Sequence, residues 1–368
     1  MKYVKGLDTL RAMAVLLVIH EHWGPHSFKT SVFLTFIFQK IIPDGKFGVD
    51  FFFVLSGFLI TGILLDAKND NLQVNWLTVL RNFVARRCLR IFPIYYLCLI
   101  LLFILNYPDV RKDFAYLITY TENFLVFKRN FWDAFCHTWS LAVEEQFYLI
   151  WPLIILLSPK RLILPVLISF IILGTAAGLI TAYLYGPYAI VLPFNCFNAF
   201  AIGGLYSLAR MDSLILARFK QTLTYALPLA ILLYLFLAFG YLNCPGRIFN
   251  AIISISLIIY VVEAKYSRFF SAVIHNRVLV KIGQISYGVY LYHFCVPHYY
   301  YSVLKYAERK LLFPAHFSAL LEHPAFAELA EFIILIIISY LSYNLIEARF
   351  LKLKKYFVYE KIAHVTLT

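Results

Sequence analysis

Residues 11–22 read RAMAVLLVIHEH. Eight apolar residues separate Arg11 from the cluster His20, Glu21, His22. The run predicts a membrane helix, and ionisable groups in hydrocarbon are costly enough to mark a functional site. Arg11 and His22 are eleven residues apart. At 3.6 residues per turn they lie about 20° from sharing a line on the helix surface, with Val15 and Val18 between them, and are separated by about 16 Å of rise. His20 points about 200° away from His22, so spacing alone does not choose between the two histidines. Taken singly, the pair also reads as an arginine snorkelling to one headgroup layer and a histidine at the other. Its company elsewhere in the chain argues for more.

Of the 368 residues, 62% are hydrophobic and only 14% charged, and the mean hydropathy is +0.75. Soluble domains carry about 25% charged residues, so this is an all-α polytopic membrane protein. The first apolar run carries Arg11 and Glu21 and lacks a small-residue cleavage site, so it is read as a retained helix. Six cysteines show no CxxC or other metal spacing, and most sit in apolar runs, where cysteine packs as a small hydrophobe. No metal is expected.

A span needs about 20 mostly apolar residues. Ten candidates follow, near 7–24, 47–65, 91–107, 138–158, 162–184, 189–208, 222–241, 248–264, 281–304 and 327–350. With the N-terminus inside, roughly two in three of the 33 lysines and arginines fall on the cytoplasmic side, as the positive-inside rule requires. About ten transmembrane helices with both termini cytoplasmic are therefore expected. This distribution explains most of the formal charge of +13 without nucleic acid.

Further polar groups lie at matching depths. Asp50 stands near the outer end of the second span, in FGVDFFFVLSGFLIT, either as a helix cap or as a carboxylate that orients a histidine. The fourth span, HTWSLAVEEQFYLIW, buries Glu144 and Glu145 one to two turns from its outer end. Adjacent residues are 100° apart, so the two cannot share a face. In the ninth span, GQISYGVYLYHF places Ser286, Tyr290 and His293 on one stripe. On the inner side, FVARRCLRIFPIYY puts Arg86, Arg87 and Arg90 just before the third span, as a topogenic cluster or an anion clamp. Together these describe arginines at a cytoplasmic mouth, carboxylates and histidines in the outer half, and a polar path between. A donor with phosphates at one end and a thioester on a long arm, as in acyl-CoA, has the complementary shape.

With these pieces in hand, the chain resembles the acyltransferase-3 family of integral membrane acyltransferases. The resemblance rests on GLDTLRAMAVLLVIHEH with its R-x10-H spacing, GVDFFFVLSGFLIT, RRCLRIFPIYY, HTWSLAVEEQFYLIWP and GQISYGVYLYH, in the family's order over about residues 5–350. It implies a transmembrane acyltransferase domain over 5–350 and a short cytoplasmic tail over 351–368, in the bacterial cytoplasmic (inner) membrane. It also implies the stand-alone type, without the SGNH-type hydrolase domain that many relatives carry. Two local departures are Phe47-Gly48-Val49-Asp50, where the family often has Gly-Gly-Val-Asp, and Glu347-Ala348-Arg349, where it often has Glu-x-Pro.

The resemblance further implies O-acyl transfer, usually of acetyl from cytoplasmic acetyl-CoA, a substrate rather than a bound cofactor. The acceptor is a hydroxyl of an extracytoplasmic glycan or lipid-linked glycan, such as lipopolysaccharide O-antigen; some members take peptidoglycan, lipo-oligosaccharides or macrolides, or move succinyl. It selects His22 over His20 as the general base, and maps its RxxR element to Arg87 and Arg90. The catalytic candidates are then His22, Asp50, Glu144 and Glu145, with Asp50 or Glu144 setting the tautomer of His22, or an acyl-histidine forming at His22. Arg11, Arg86, Arg87 and Arg90 are candidates for CoA, and Ser286, Tyr290 and His293 for the acceptor or the oxyanion. The competing class is a proton-coupled transporter, since intramembrane carboxylates and histidines also relay protons, but no internal repeat or pair of broken helices supports it.

Overall fold

The computed structural model describes residues 3–24, 36, 40–69, 75–242, 244–263, 266–310 and 320–358. Lys2, Lys265, Lys361 and the end of the tail lie outside the described residues. In chain order the helices are α1 (Lys5–Trp23), α2 (Gly45–Asn69), α3 (Trp76–Ile104), α4 (Phe114–Ile118) and α5 (Glu122–Arg129). Then come α6 (Trp139–Leu157), α7 (Lys160–Tyr185), α8 (Pro193–Ala209), α9 (Ser213–Ala238) and α10 (Arg247–Val262). The last are α11 (Arg268–Ile274), α12 (Arg277–Gln284), α13 (Ser286–Tyr292), α14 (Cys295–Arg309), α15 (Pro324–Ser342) and α16 (Ala348–Lys352). No strand occurs among the described residues.

Six of these stretches are long and apolar enough to cross a membrane: α2, α3, α6, α7, α9 and the run Pro324–Tyr356. The chain is thus an all-α polytopic membrane protein. The other expected spans coincide with shorter, more polar or broken helices. The 17-residue α8 is walled in, with Asn195, Cys196, Asn198, Phe200 and Tyr206 all buried. By contrast, α7 and α9 present Ile172, Leu173, Leu229 and Leu232 outward, as lipid-facing helices must.

The centre of the bundle is α2 crossed on α8. A Cβ at Gly57 would overlap the Phe200 carbonyl, and a Cβ at Gly203 would overlap the Val54 carbonyl. Only glycine lets the two backbones approach this closely, and such small-residue contacts take the place of the hydrophobic drive that lipid does not supply. Aromatic rings then fill the seam, with Phe200 stacked on Phe147 at 3.8 Å and on Phe53 at 4.8 Å between ring centres. At the opposite wall, a Cβ at Gly283 would overlap the Asp8 backbone, which fixes α12 against the start of α1.

Three boundaries differ from the sequence expectation. First, α3 runs unbroken from Trp76 to Ile104 with Pro93 inside it, so Arg86, Arg87 and Arg90 lie within a helix rather than in a loop ahead of one. The side chain of Asn75 caps it by accepting the Leu77 amide at 3.0 Å. Charged residues end a membrane span in sequence terms, but they do not end a helix that continues along a protein wall. Second, the expected ninth span is three pieces, α12, α13 and α14, and His293 sits in the second break. Third, the last span passes into a π-helical turn over Tyr343–Glu347 before α16. That turn includes Glu347, where the chain departs from the Glu-x-Pro pattern.

The start of α1 and the segment after α16 meet at one end of the bundle. Arg86 of α3 donates to the carbonyls of Lys354 and Phe357 at 3.2 and 3.0 Å, and Tyr3 and Gln284 lie in hydrogen-bonding contact at 3.4 Å.

Candidate active site

At that end a cavity of about 460 Å³ is lined by Asp8, Arg11, Arg86, Arg87, Arg90 and Lys354 among others. Asp8 is buried at 3% exposure and holds Arg11 one turn on, at 2.8 Å; Tyr3 donates its hydroxyl to the same carboxylate. Arg87 lies over the Tyr148 ring at 5.0 Å. Five cations against one carboxylate make this mouth suited to an anion.

Arg11, Leu59, Arg87 and Arg90 also line a second, narrower chamber of about 90 Å³ that continues inward. Its deeper walls carry Ser56, Glu144, Glu145, Ser140, Ser286 and Tyr290. The adjacent glutamates diverge as a helix dictates. Glu144 accepts from Tyr148 at 2.7 Å and from Ser56 at 3.4 Å. Glu145 also reaches a lateral opening beside Cys88 and Phe92, and its Oε1 has no hydrogen-bond partner.

The chamber ends at Tyr290, whose hydroxyl donates to the His137 carbonyl at 2.8 Å and lies 2.6 Å from the Ser140 hydroxyl. Beyond it, three histidine rings meet. The centres of His137 and His293 are 4.7 Å apart, and those of His22 and His293 are 5.0 Å apart. His137 and His293 are buried at 1% and 0% exposure. Because the helix breaks at His293, its Nδ1 reaches the Tyr290 carbonyl at 2.6 Å, while its Nε2 contacts Nδ1 of His22 at 2.9 Å. A carbonyl can only accept, so Nδ1 of His293 carries a proton. With the rings neutral, Nε2 of His293 is then an acceptor, Nδ1 of His22 must donate, and Nε2 of His22 is left as a bare lone pair. The Trp23 indole donates to the His293 carbonyl at 2.8 Å and pins the end of α1 to the break. His22 and His293 face a third cavity of about 310 Å³, with Trp23, Tyr301, Glu328 and Glu331.

The structure gathers most of the sequence candidates but redistributes them. Arg11, Arg86, Arg87 and Arg90 share the mouth, while Glu144, Glu145, Ser286 and Tyr290 share the chamber. Ser286, Tyr290 and His293 do not form one stripe, because the break turns His293 into the third cavity. The expectation that Asp50 or Glu144 orients His22 is not met. Glu144 is engaged with Ser56 and Tyr148. Asp50 accepts from Arg247 Nε at 2.6 Å and from Asn250 at 2.9 Å, while Arg247 also donates to the Asn195 carbonyl at 2.9 Å. Asp50 therefore ties α2, α8 and α10 together. A peptide carbonyl and a second histidine fill the role foreseen for a carboxylate. Sequence reasoning missed His137, Ser140, Arg247, Asn250 and Glu331. His137 and Ser140 stand in HTWS, at the head of the fourth expected span, and Arg247 is the lone charge opening an apolar run. No group of three His, Cys, Asp or Glu side chains among the described residues is arranged to hold a metal.

Fold and site together define an all-helical membrane protein with a polar path from a basic mouth to a buried histidine cluster. The chain belongs to the acyltransferase-3 family, whose acyltransferase domain matches residues 4–343. It is 32% identical over 329 residues to the peptidoglycan O-acetyltransferase OatA of Listeria monocytogenes, covering 80% of this chain and 49% of that protein. It is 31% identical over 330 residues to the putative peptidoglycan O-acetyltransferase YrhL of Bacillus subtilis, with the same coverage of 80% and 49%. A putative O-acetyltransferase of Staphylococcus aureus (strain COL) is 27% identical over 398 aligned positions, covering 96% of this chain and 58% of that protein. The chain thus spans about half the length of these relatives. No solved structure matches it.

Proposed function

We propose that the protein is a membrane O-acetyltransferase that takes acetyl from acetyl-CoA at the basic mouth and delivers it to a glycan hydroxyl at the far end. The observation that carries this reading is the continuity of the two inner cavities, which share Arg11, Arg87 and Arg90 and end one residue wall, Tyr290, short of the histidine pair. The arginines receive the CoA phosphates, and the pantetheine arm threads the chamber toward His22, which requires the chamber of about 90 Å³ to widen around the arm and Tyr290 to turn aside. Nε2 of His22 removes the proton from the acceptor hydroxyl as its oxygen attacks the thioester carbon. The new C–O bond forms, the C–S bond breaks, and the proton passes from His22 to the departing sulfur. Such general-base assistance contributes about 10²- to 10⁴-fold.

The likeness to the peptidoglycan O-acetyltransferase OatA favours peptidoglycan over lipopolysaccharide O-antigen as the acceptor, in the cytoplasmic membrane of a bacterium. Free CoA thiol and ester-linked acetate on the cell-surface glycan test the reading. Deletion of the gene removes the ester, the wild type restores it, and a His22→Ala protein present at normal membrane levels does not. A protein that releases no thiol from acetyl-CoA, in membranes that contain the glycan, sinks the reading in favour of a transporter.

A further inference from the structure

The cavity of about 310 Å³ beyond the histidine pair has walls that the transfer step does not use. Its volume falls within the range, about 300–1,000 Å³, of sites that hold small ligands. Trp23 spends its indole N–H on the His293 carbonyl, so what it offers the cavity is a ring face. Tyr301 adds a second ring, 39% exposed, on α14. Opposite them α15 brings Glu331, which is 5% exposed, lines the cavity, and has an Oε1 with no hydrogen-bond partner. Buried polar atoms are nearly always paired, and an unpaired carboxylate oxygen is more costly than a neutral group. This one therefore points to a donor-rich ligand. Glu328, one turn earlier, lines the same wall, and the unpartnered carboxylate of Glu331 disfavours an anion.

We propose that this cavity is the acceptor subsite and takes one ring of a pyranoside that carries no acid group. The apolar C–H face of the sugar lies on Trp23 and Tyr301. Its hydroxyls donate to Glu331, and another hydroxyl is presented to the bare Nε2 of His22. The proposal rests on the acyl-transfer reading for what happens next, but not for binding. Glu331 then determines specificity without reacting: it selects a ring rich in hydrogen-bond donors and rejects uronates.

The test is saccharide binding to the purified full chain in detergent, read by calorimetry without acetyl-CoA, with thiol release measured separately. The probes are N-acetylchitotetraose and tetragalacturonate. The wild type is expected to bind the N-acetylated tetramer and not the uronate. Glu331→Gln keeps the side-chain volume while removing the charged acceptor, and is expected to weaken binding about tenfold or more. Tyr301→Ala, at an exposed position, is expected to weaken it several-fold, and both variants should melt as the wild type does. No binding by the wild type, equal binding by Glu331→Gln, or a preference for the uronate overturns the proposal. Saccharide binding without thiol release from acetyl-CoA leaves the subsite standing and removes the transfer reading. Saccharide-stimulated thiol release that Glu331→Gln leaves unchanged does the reverse.

Discussion

Nδ1 of His22 lies 2.9 Å from Nε2 of His293, and the far side of the His293 ring is held by the Tyr290 carbonyl at 2.6 Å. Two residues 271 positions apart are thereby set in one tautomeric chain that ends on a lone pair. His293 acts through His22 and is a positioning residue. His293→Ala should lower kcat about 10²-fold or more, as losing the partner that orients a catalytic histidine does elsewhere, with KM for acetyl-CoA little changed. His293→Gln, whose amide oxygen can accept from Nδ1 of His22, should recover most of that loss. Equal damage from both variants would show that the ring is needed for something other than acceptance.

The arginines of the mouth separate by what they touch. Arg86 donates to the Lys354 and Phe357 carbonyls and so fastens the chain after α16 to α3. Arg87 lies over Tyr148 and borders both inner cavities. Arg87→Ala is expected to raise KM for acetyl-CoA about tenfold, in line with about 1.5–3 kcal/mol for a hydrogen bond to a charged group, and to weaken the dependence of KM on salt. Arg86→Ala is expected to lower the melting temperature with a smaller change in KM. Initial-rate kinetics at two salt concentrations, with melting curves alongside, check the pair. The reverse pattern would move the phosphate site to Arg86.

The helices were legible because membrane spans announce themselves by length and hydropathy: α2, α6 and α7 fall within a few residues of the stretches read from sequence, whereas α9 starts at Ser213, well ahead of the expected 222. The site was legible as far as type and depth go: Arg11, Glu144 and His22 had to be partnered wherever they lay, while Glu145 shares their depth with its Oε1 unpartnered. What the sequence hid was pairing. The break at His293 has its signal four residues on, in HFCVP, where Pro297 offers no N–H to the His293 carbonyl and crowds it; what that signal does not show is that the break turns the His293 ring back onto the Tyr290 carbonyl, so a carboxylate was assigned the task in its place. Asp50 looked available to His22 because Arg247 begins a span 197 residues away, and no local periodicity connects them. The extension of α3 back to Trp76 was hidden for another reason: arginines read as the edge of the membrane are compatible with helix when the bundle supplies a polar cavity.

Asp50 is accordingly expected to matter for folding rather than for chemistry. It and Arg247 are exposed by only 2% and 5%, and removing one member of a buried ion pair costs about 3–5 kcal/mol because the other is left uncompensated. Asp50→Asn should lower the melting temperature in detergent by many degrees, and Arg247→Met should do the same. The double variant should be less damaged than the sum of the two, because it leaves no orphaned charge. Strict additivity would show that the pair is not coupled.

A last prediction concerns pH and lies outside the membrane spans. Glu122 opens α5, in the segment between α3 and α6, and is buried at 4% exposure with its Oε2 unpartnered. Burial pushes its carboxyl well above the usual carboxylate range, and Asp133 and Asp113 push in the same direction. These two aspartates also bind Arg129 at 2.8 and 2.6 Å, which places the local cation on them. In the unfolded chain the carboxyl titrates near its ordinary value of about 4.3. The folded protein therefore holds this proton over a range where the unfolded chain has lost it. The stabilisation is full below about pH 4 and declines as the pH climbs toward the raised folded value. Glu122→Gln keeps the shape and has no proton to lose. Melting midpoints between pH 5 and pH 9 should show the variant increasingly more stable than the wild type toward the alkaline end. Parallel curves for the two proteins would mean that Glu122 is ionised in the fold and finds a partner there.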